Sequence, residues 1–373
     1  MKSTKILISA GEVSGDSHGA KLISELRKKC ELKVFSIGGR KMRDVSDYLV
    51  EDIAGKAAVG FLEAVRLIPS FLALKNRVER RYFAPGSPDR VDALILIDHP
   101  GFNVRLGKAA AARGVPVYYY ITPQVWAWGK GRISVLSKIC RKLYCVFDFE
   151  EELFRKAGGD VEFVGHPLLE DIPDEADISR LERETGLNSA DKVLAILPGS
   201  RTQEVVRHLP VMMKAAGGTG LVPVIARPKS ISEEFYREML GPVIRVTDDT
   251  YALLKRASAA IVKSGTSTLE AAIAGVPFVT IYKVSGVSYT IAKLLVRVPY
   301  VSMVNILAGE EVSPELLQVD FHPCRLRDSV FDVLSRSKEI RDQLGKVARS
   351  LGGPGASERT ARSIIESLKE HSG

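Results

Sequence analysis

The chain has 373 residues, 45% of them hydrophobic and 26% charged, with a formal net charge of +8 at pH 7. That length supports two domains with separate cores, and that apolar fraction lets them fold without disulfides or structural metal. Cys30, Cys140, Cys145 and Cys324 are scattered with no second pair or histidine cluster, which argues against a zinc site and suits a reducing cytoplasm, while the basic balance calls for an anionic partner such as nucleic acid, a phosphorylated substrate or a membrane surface.

Short apolar runs alternate with helical-period segments, the pattern of βαβ units and parallel sheets. The run "KILISA" predicts the first strand and is too short for a signal-peptide core. After it, "SAGEVSGDSHGA" carries Glu12, Ser14, Gly15 and His18. It predicts a turn into a helix starting near Ala20, with Asp16 or Ser17 as N-cap. The loop lacks the G-x-G-x-x-G spacing, which disfavours a nicotinamide dehydrogenase. "KVFSIGG" is the next strand. In residues 59–83, Phe61, Leu62, Val65, Ile68 and Leu72 fall near one helical face beside Arg66, Lys75, Arg77, Arg80 and Arg81, and Pro69 is expected to kink or split the helix. That face fits either a core with a solvated basic side or the interface of an anionic bilayer.

The strand "DALILID" ends in "DHPGFN", so Asp98 and His99 stand where the apolar run stops. In open parallel sheets the ligand binds beyond the carboxyl ends of the strands. Asp98 there is either an Asx-turn residue before Pro100 or a carboxylate serving a ligand. "PVYYYI" leads into "YITPQVWAWGKGR", where Gln124, Trp126 and Trp128 sit among polar and basic residues; core packing explains the tryptophans equally well. "KLYCVFD" and "VEFVG" close the first half. The acidic, proline-bearing residues 170–192 read as a linker.

The second half repeats the theme with "KVLAILPGS", "VPVIA", "VIRVT", "AAIVKSG" and "PFVTIYK" as strands. In "LPGSRTQEV" a helix begins just after Arg201, so its free N–H groups and a guanidinium make an anion site, unless Arg201 is simply a solvated surface residue. In "KSGTSTLEAAIAGVPFV", Gly265 permits close approach of a ligand, Thr266 or Ser267 caps a helix, and Glu270 either complements the helix dipole or binds the vicinal hydroxyls of a ribose. The tail from Pro323 is helical. No transmembrane segment is expected, because the nearest candidate, residues 287–309, contains Lys293, Arg297, Pro299 and Asn305. No metal is expected either. Asp-x-Asp is absent, and "DFE" (148–150) and "DD" (248–249) fall outside the loops above.

"GEVSGDSHGA", "DHPGFN", "YITPQVWAWGKGR", "FVGHPLLE", "LPGSRTQE", "SGTSTLEAAIAGVPFV" and "NILAGEEVSPELLQ" resemble the successive motifs of the lipid-A-disaccharide synthase family, in the same order and across almost the whole chain. The resemblance implies an α/β fold of two Rossmann-like doubly wound domains facing a cleft, the GT-B glycosyltransferase architecture. Residues 1–170 would form the acceptor-side domain and 171–344 the UDP-sugar-binding domain, with a helix at about 345–373 packing back on the first. It implies an inverting transfer of diacylglucosamine from UDP to the 6-hydroxyl of diacylglucosamine 1-phosphate, giving the β-1′,6-linked lipid A disaccharide. Asp98 would be the base, with His99, Glu12, Ser14, Gly15, His18, Gln124 and Trp126 on the acceptor or cleft side. Ser200, Arg201, Gln203, Gly265, Thr266, Ser267, Glu270 and Asn305 would hold the UDP-sugar. The same resemblance implies no cofactor, no metal and no nucleic acid partner. It implies a cytoplasmic monomer or homodimer that binds the inner-membrane surface reversibly. The alternatives are another UDP-N-acetylglucosamine enzyme of this fold, a 2-epimerase or muramyl-peptide glucosaminyltransferase, or a non-catalytic protein that binds nucleotide sugars or anionic lipid.

Overall fold

The structure is a computed structural model that describes residues 3–54, 61–129, 131–173, 175–284 and 299–370, without the side chains of 61–67 and Trp128. It divides into two compact units, Met1–Glu170 with Leu351–Gly373, and Asp171–Ser350.

The first unit runs β1 (Thr4–Ala10), α1 (Val13–Arg27), β2 (Leu32–Gly38), α2 (Arg40–Val45), β3 (Tyr48–Asp52), α3 (Phe61–Val78), β4 (Ala93–Ile97), α4 (Pro100–Ala111), β5 (Val117–Tyr120), α5 (Val125–Trp128), α6 (Gly131–Ile139), β6 (Lys142–Cys145), α7 (Asp148–Lys156) and β7 (Val161–Phe163). The strands form one parallel sheet in the order β3-β2-β1-β4-β5-β6-β7. Its apolar runs are continuous because both faces are covered. Leu7, Leu94, Leu96 and Tyr119 pack on one side with Leu74 of α3, Leu106 of α4 and Leu136 of α6. Ile8, Ile95, Tyr118 and Tyr120 pack on the other with Leu22 of α1 and Met42 of α2.

The helix expected near Ala20 begins at Val13, with Glu12 at its N-cap. Its glycines serve close packing rather than a loop: a Cβ on Gly19 would lie 2.6 Å from Met42 Sδ. Asp16 caps a different helix, accepting from Gly39 N and Met42 N at the start of α2 at 2.7 and 3.0 Å. α3 continues through Pro69, which is exposed, so that water can satisfy the carbonyl left without a donor. The side chains of Phe61, Leu62, Val65 and Arg66 lie outside the described residues, as does the backbone of 285–298 in the segment weighed as a transmembrane candidate.

The second unit runs α8 (Ile178–Thr185), β8 (Val193–Leu197), α9 (Thr202–Ala216), β9 (Val222–Ala226), α10 (Glu233–Leu240), β10 (Val246–Thr247), α11 (Thr250–Arg256), β11 (Ala259–Lys263), α12 (Thr266–Ala274), β12 (Phe278–Tyr282), α13 (Met303–Ala308), β13 (Glu315–Leu317), α14 (Pro323–Ser335) and α15 (Ser337–Ser350). Its parallel sheet has the order β10-β9-β8-β11-β12-β13. The segment read as a linker holds α8, which buries Leu181. "VIRVT" contributes a two-residue strand.

A final helix, α16 (Ala356–Lys369), belongs to the first unit. Its hydroxyls meet the tyrosines of the sheet: Tyr118 donates to Ser367 Oγ at 2.9 Å and Tyr144 to Ser363 Oγ at 3.2 Å. Glu170 accepts from Ser357 N and Oγ at 2.6 and 2.8 Å. Among the described residues, no helix is long and apolar enough to cross a membrane.

Candidate active site

Each sheet has one point where the winding direction reverses, between β1 and β4 in the first unit and between β8 and β11 in the second. Loops leaving such neighbouring strands diverge to opposite faces and open a crevice at the carboxyl edge, where ligands of doubly wound folds bind.

At the first switch point the backbone is strained. Asp98 (φ 44°), His99 (φ 46°) and Ile121 (φ 58°) occupy the left-handed region at the ends of β4 and β5. A β-branched residue there is rare, and each such residue costs on the order of 1–3 kcal/mol. Asp98 N donates to Ile121 O at 3.3 Å, joining the two strained turns. Buried surroundings push the Asp98 carboxyl up to about 6; the charge of Glu12 adds to this, and the His99 N–H opposes it. Burial also lowers His99, whose ring is therefore neutral at pH 7, although Glu12 works the other way. The ring lies over Gly11, where a Cβ would come within 2.1 Å of it, so residue 11 must lack a side chain. Phe71 of α3 is 5.9 Å from it, centroid to centroid.

The other first-unit candidates divide. Ser14 is exposed and Gly15 buried on α1, with Ala10 Cβ 3.3 Å from where a Cβ on Gly15 would stand. His18 is close enough to His166 for its charge to help depress that imidazole, held at about 3 chiefly by burial. Gln124 is exposed at the N-cap of α5. Trp126 is buried, and its Nε1 donates to Glu150 Oε1 at 2.9 Å, while Thr122 Oγ1 donates to Oε2 at 3.0 Å. Burial pushes Glu150 up to about 7 against the pull of those bonds. The carboxyl thus ties the loop after β5 to α7.

At the second switch point, Gly199 (φ 124°) turns β8 toward α9 and leaves Ser200, Arg201 and Gln203 exposed at the helix start. Glu204 reaches back: Oε2 accepts from Ser200 N at 3.0 Å and Oε1 pairs with Lys263 Nζ at 2.9 Å, with the Arg201 guanidinium 3.8 Å away. Burial acts to raise Glu204, but the Lys263 ammonium, the Ser200 N–H and the Arg201 charge together hold the carboxyl below the ordinary range. After the neighbouring strand β11, Gly265 (φ 146°) opens α12, leaving Gly265 and Thr266 exposed. Glu270 is raised by burial and by the charge of Asp171, and opposed by a hydrogen bond from Ser267. Asn305 is buried and fully engaged with its own unit: Nδ2 donates to Ser313 O and Glu315 Oε1 at 2.8 and 2.9 Å, and Oδ1 accepts from Val312 N and Ser313 N. Among the described residues, no cluster of three or more His, Cys, Asp or Glu has metal-binding geometry.

Glu150, Glu204 and Lys263 were not singled out by sequence reasoning. Glu204 carried a findable signal, because a carboxylate in the first turn after "PGSR" can fold back onto the turn's free N–H groups.

Two parallel doubly wound sheets with polar groups gathered at both switch points define a GT-B-type α/β protein, and solved structures of that fold match. A UDP-GlcNAc 2-epimerase from Neisseria meningitidis bound to UDP-GlcNAc superposes with TM-score 0.62 at 14% identity, covering 97% of this chain and 100% of that one. The calicheamicin glycosyltransferase CalG4 gives 0.61 at 14% identity over 98% and 99%, and Acinetobacter baumannii MurG 0.57 at 14% over 98% and 100%. The lipid-A-disaccharide synthetase family model matches residues 6–350. Lipid-A-disaccharide synthases from Syntrophus aciditrophicus (37% identical, 99% of each chain) and Myxococcus xanthus (34%, 98% of this chain and 97% of that one) are similar over their full lengths. The chain belongs to the lipid-A-disaccharide synthetase family.

Proposed function

We propose that this chain is an inverting UDP-sugar hexosyltransferase. It joins UDP-2,3-diacylglucosamine to 2,3-diacylglucosamine 1-phosphate, giving the β-1′,6-linked lipid A disaccharide 1-phosphate and UDP. Family membership supports the reaction class, and one observation carries the mechanism: a carboxyl raised to about 6 on a strained turn at a switch point. Inversion needs a base that takes the proton of the acceptor 6-hydroxyl as its oxygen attacks the anomeric carbon, while the bond to the diphosphate breaks and its electron pair leaves with UDP. Asp98 is that base: near neutral pH it is ionised, and its raised pKa makes it a better proton acceptor than an ordinary carboxylate. Neutral His99, with Glu12, Ser14, Gly15, His18 and Gln124, lines the acceptor side.

In the second unit, Arg201, the N–H groups that open α9 and the turn at Gly265–Ser267 receive the diphosphate, whose charge grows as the bond breaks. Gln203 and Ser200 stand beside it, and Glu270 accepts hydrogen bonds from the ribose hydroxyls. Positive charge for the leaving group then comes from side chains and amides, with no cofactor. Asn305, hydrogen-bonded to Ser313 and Glu315, supports the sugar side by fixing its loop.

The lipid substrates reside in a bilayer, so the protein is read as cytoplasmic and reversibly bound to the inner-membrane surface through α3. Ile68 and Leu72 on that helix are 39% and 43% exposed. The test is incubation with both lipid substrates. Release of UDP with a disaccharide product supports the proposal. Epimerisation of a UDP-sugar without acceptor, or UDP binding without turnover, favours the alternatives.

A further inference from the structure

The peptide that carries Asp98 is clamped from behind by groups that no part of the mechanism above uses. Asn103, one turn into α4, is fully buried; its Nδ2 lies 2.9 Å from Asp98 O, 3.0 Å from Ile97 O and 3.3 Å from Ser9 O, and its Oδ1 accepts from Ser9 Oγ at 2.7 Å. Tyr119, fully buried on β5, donates its hydroxyl to the same Asp98 carbonyl at 2.6 Å. A carbonyl in a left-handed peptide has no place in the helix ladder of α4, so without these donors it would lose its partners in a largely shielded place. The two residues come from separate elements and converge on one oxygen atom. Ser9 brings in β1, so three elements around the switch point meet at this peptide.

We propose that Asn103 and Tyr119 are positioning residues for the reaction: by holding the Asp98 carbonyl they keep the strained turn in place and fix where its carboxylate meets the acceptor hydroxyl. This rests on the reading of Asp98 as the base. Preorganisation of this kind is energetically reasonable, since a displacement of about 1 Å in a catalytic group can lower rates by about 10²-fold. The charged and titratable neighbours of Asp98 are Glu12 at the start of α1, His99 beside it and Tyr119 on β5. Burial holds Tyr119 well above its ordinary value, so the phenol stays protonated and remains a donor throughout the working pH range.

The experiment compares Tyr119→Phe, Asn103→Ala, Asp98→Asn and the double variant Tyr119→Phe with Asp98→Asn in the full-length protein. Tyr119→Phe keeps the ring and the packing, and so reports even where Asn103→Ala fails to fold. The expected result for Tyr119→Phe is a fall in kcat of about 5- to 50-fold, with UDP affinity unchanged. The acid limb of its kcat/KM profile should also move to lower pH, as the freed carboxyl gains solvent. Because Tyr119 acts through Asp98, the double variant should be no slower than Asp98→Asn alone. Wild-type kcat and pH profile with a lower melting temperature alone would overturn the proposal, as would additive losses in the double variant. An inactive Asp98→Asn beside a fully active Tyr119→Phe defeats only the positioning role; near-normal turnover of Asp98→Asn defeats the base assignment and the positioning role with it.

Discussion

Lys263 Nζ lies 2.9 Å from Glu204 Oε1, an ion pair that ties the end of β11 to the first turn of α9 across the switch point of the second unit. Both side chains are largely shielded, at 18% and 14% exposure, so removing one partner leaves a poorly solvated charge. Glu204→Ala should therefore lower stability by about 1–3 kcal/mol, and it should weaken UDP binding as Ser200 N and Lys263 lose their common anchor. Denaturant unfolding and calorimetry check the two effects; a variant with wild-type values of both would show that the pair holds nothing in place.

Donor binding should respond differently at two positions. Glu270→Ala should weaken UDP binding by on the order of 1.5–3 kcal/mol, the loss of hydrogen bonds to a charged group. Arg201→Ala should lower kcat more than it raises KM, because charge on the departing diphosphate is greatest in the transition state. Raised KM with unaltered kcat would place Arg201 outside the leaving-group site.

How much of this was legible in the sequence depends on the range of the interaction. The continuous runs "LILI" and "LAIL" announce buried parallel strands, and the polar residues at their ends mark the loops that carry Asp98 and Arg201. "YLVED" and "ELL" at the sheet edges, β3 and β13, are short and only partly buried, so they lack that signal. Gly15 and Gly19 suggest a loop, because nothing local says that Ala10 and Ile97 will press against the first and Met42 of α2 against the second. Asn103 looks like one more residue of "DHPGFN"; its role depends on Ser9, 94 positions away. Asn305 suggests a ligand contact, and its amide on α13 is bonded to Val312, Ser313 and Glu315, partners that no local pattern announces.

Glu150 makes stability depend on pH. Its carboxyl is raised from 4.5 to about 7 in the folded chain, so the folded state binds more protons than the unfolded one between those values. The contribution is complete below about 4.5 and is lost as pH rises through about 7. Unfolding measured at pH 5 and pH 8 should show a wild-type decline that is smaller in Glu150→Gln, by at most about 3 kcal/mol. Identical declines in the two proteins would show that Glu150 titrates normally.

Membrane contact is testable at the described part of α3. Ile68→Ser with Leu72→Ser should lower activity on substrate embedded in anionic vesicles more than on short-chain soluble analogues, and vesicle binding should weaken as salt rises. Equal losses on both substrates, with a lower melting temperature, would assign these residues to the core.

The most direct test of the mechanism is Asp98→Asn, which keeps the shape of the side chain and removes the proton acceptor. In the wild-type protein kcat/KM should fall as pH drops through about 6, where the carboxyl becomes protonated. The variant should bind UDP with unchanged affinity while turnover falls by about 10²–10⁴-fold, and its residual activity should lack that acid limb. Near-normal turnover with the same pH dependence would contradict the assignment and move the search for the base to Glu12 and His18.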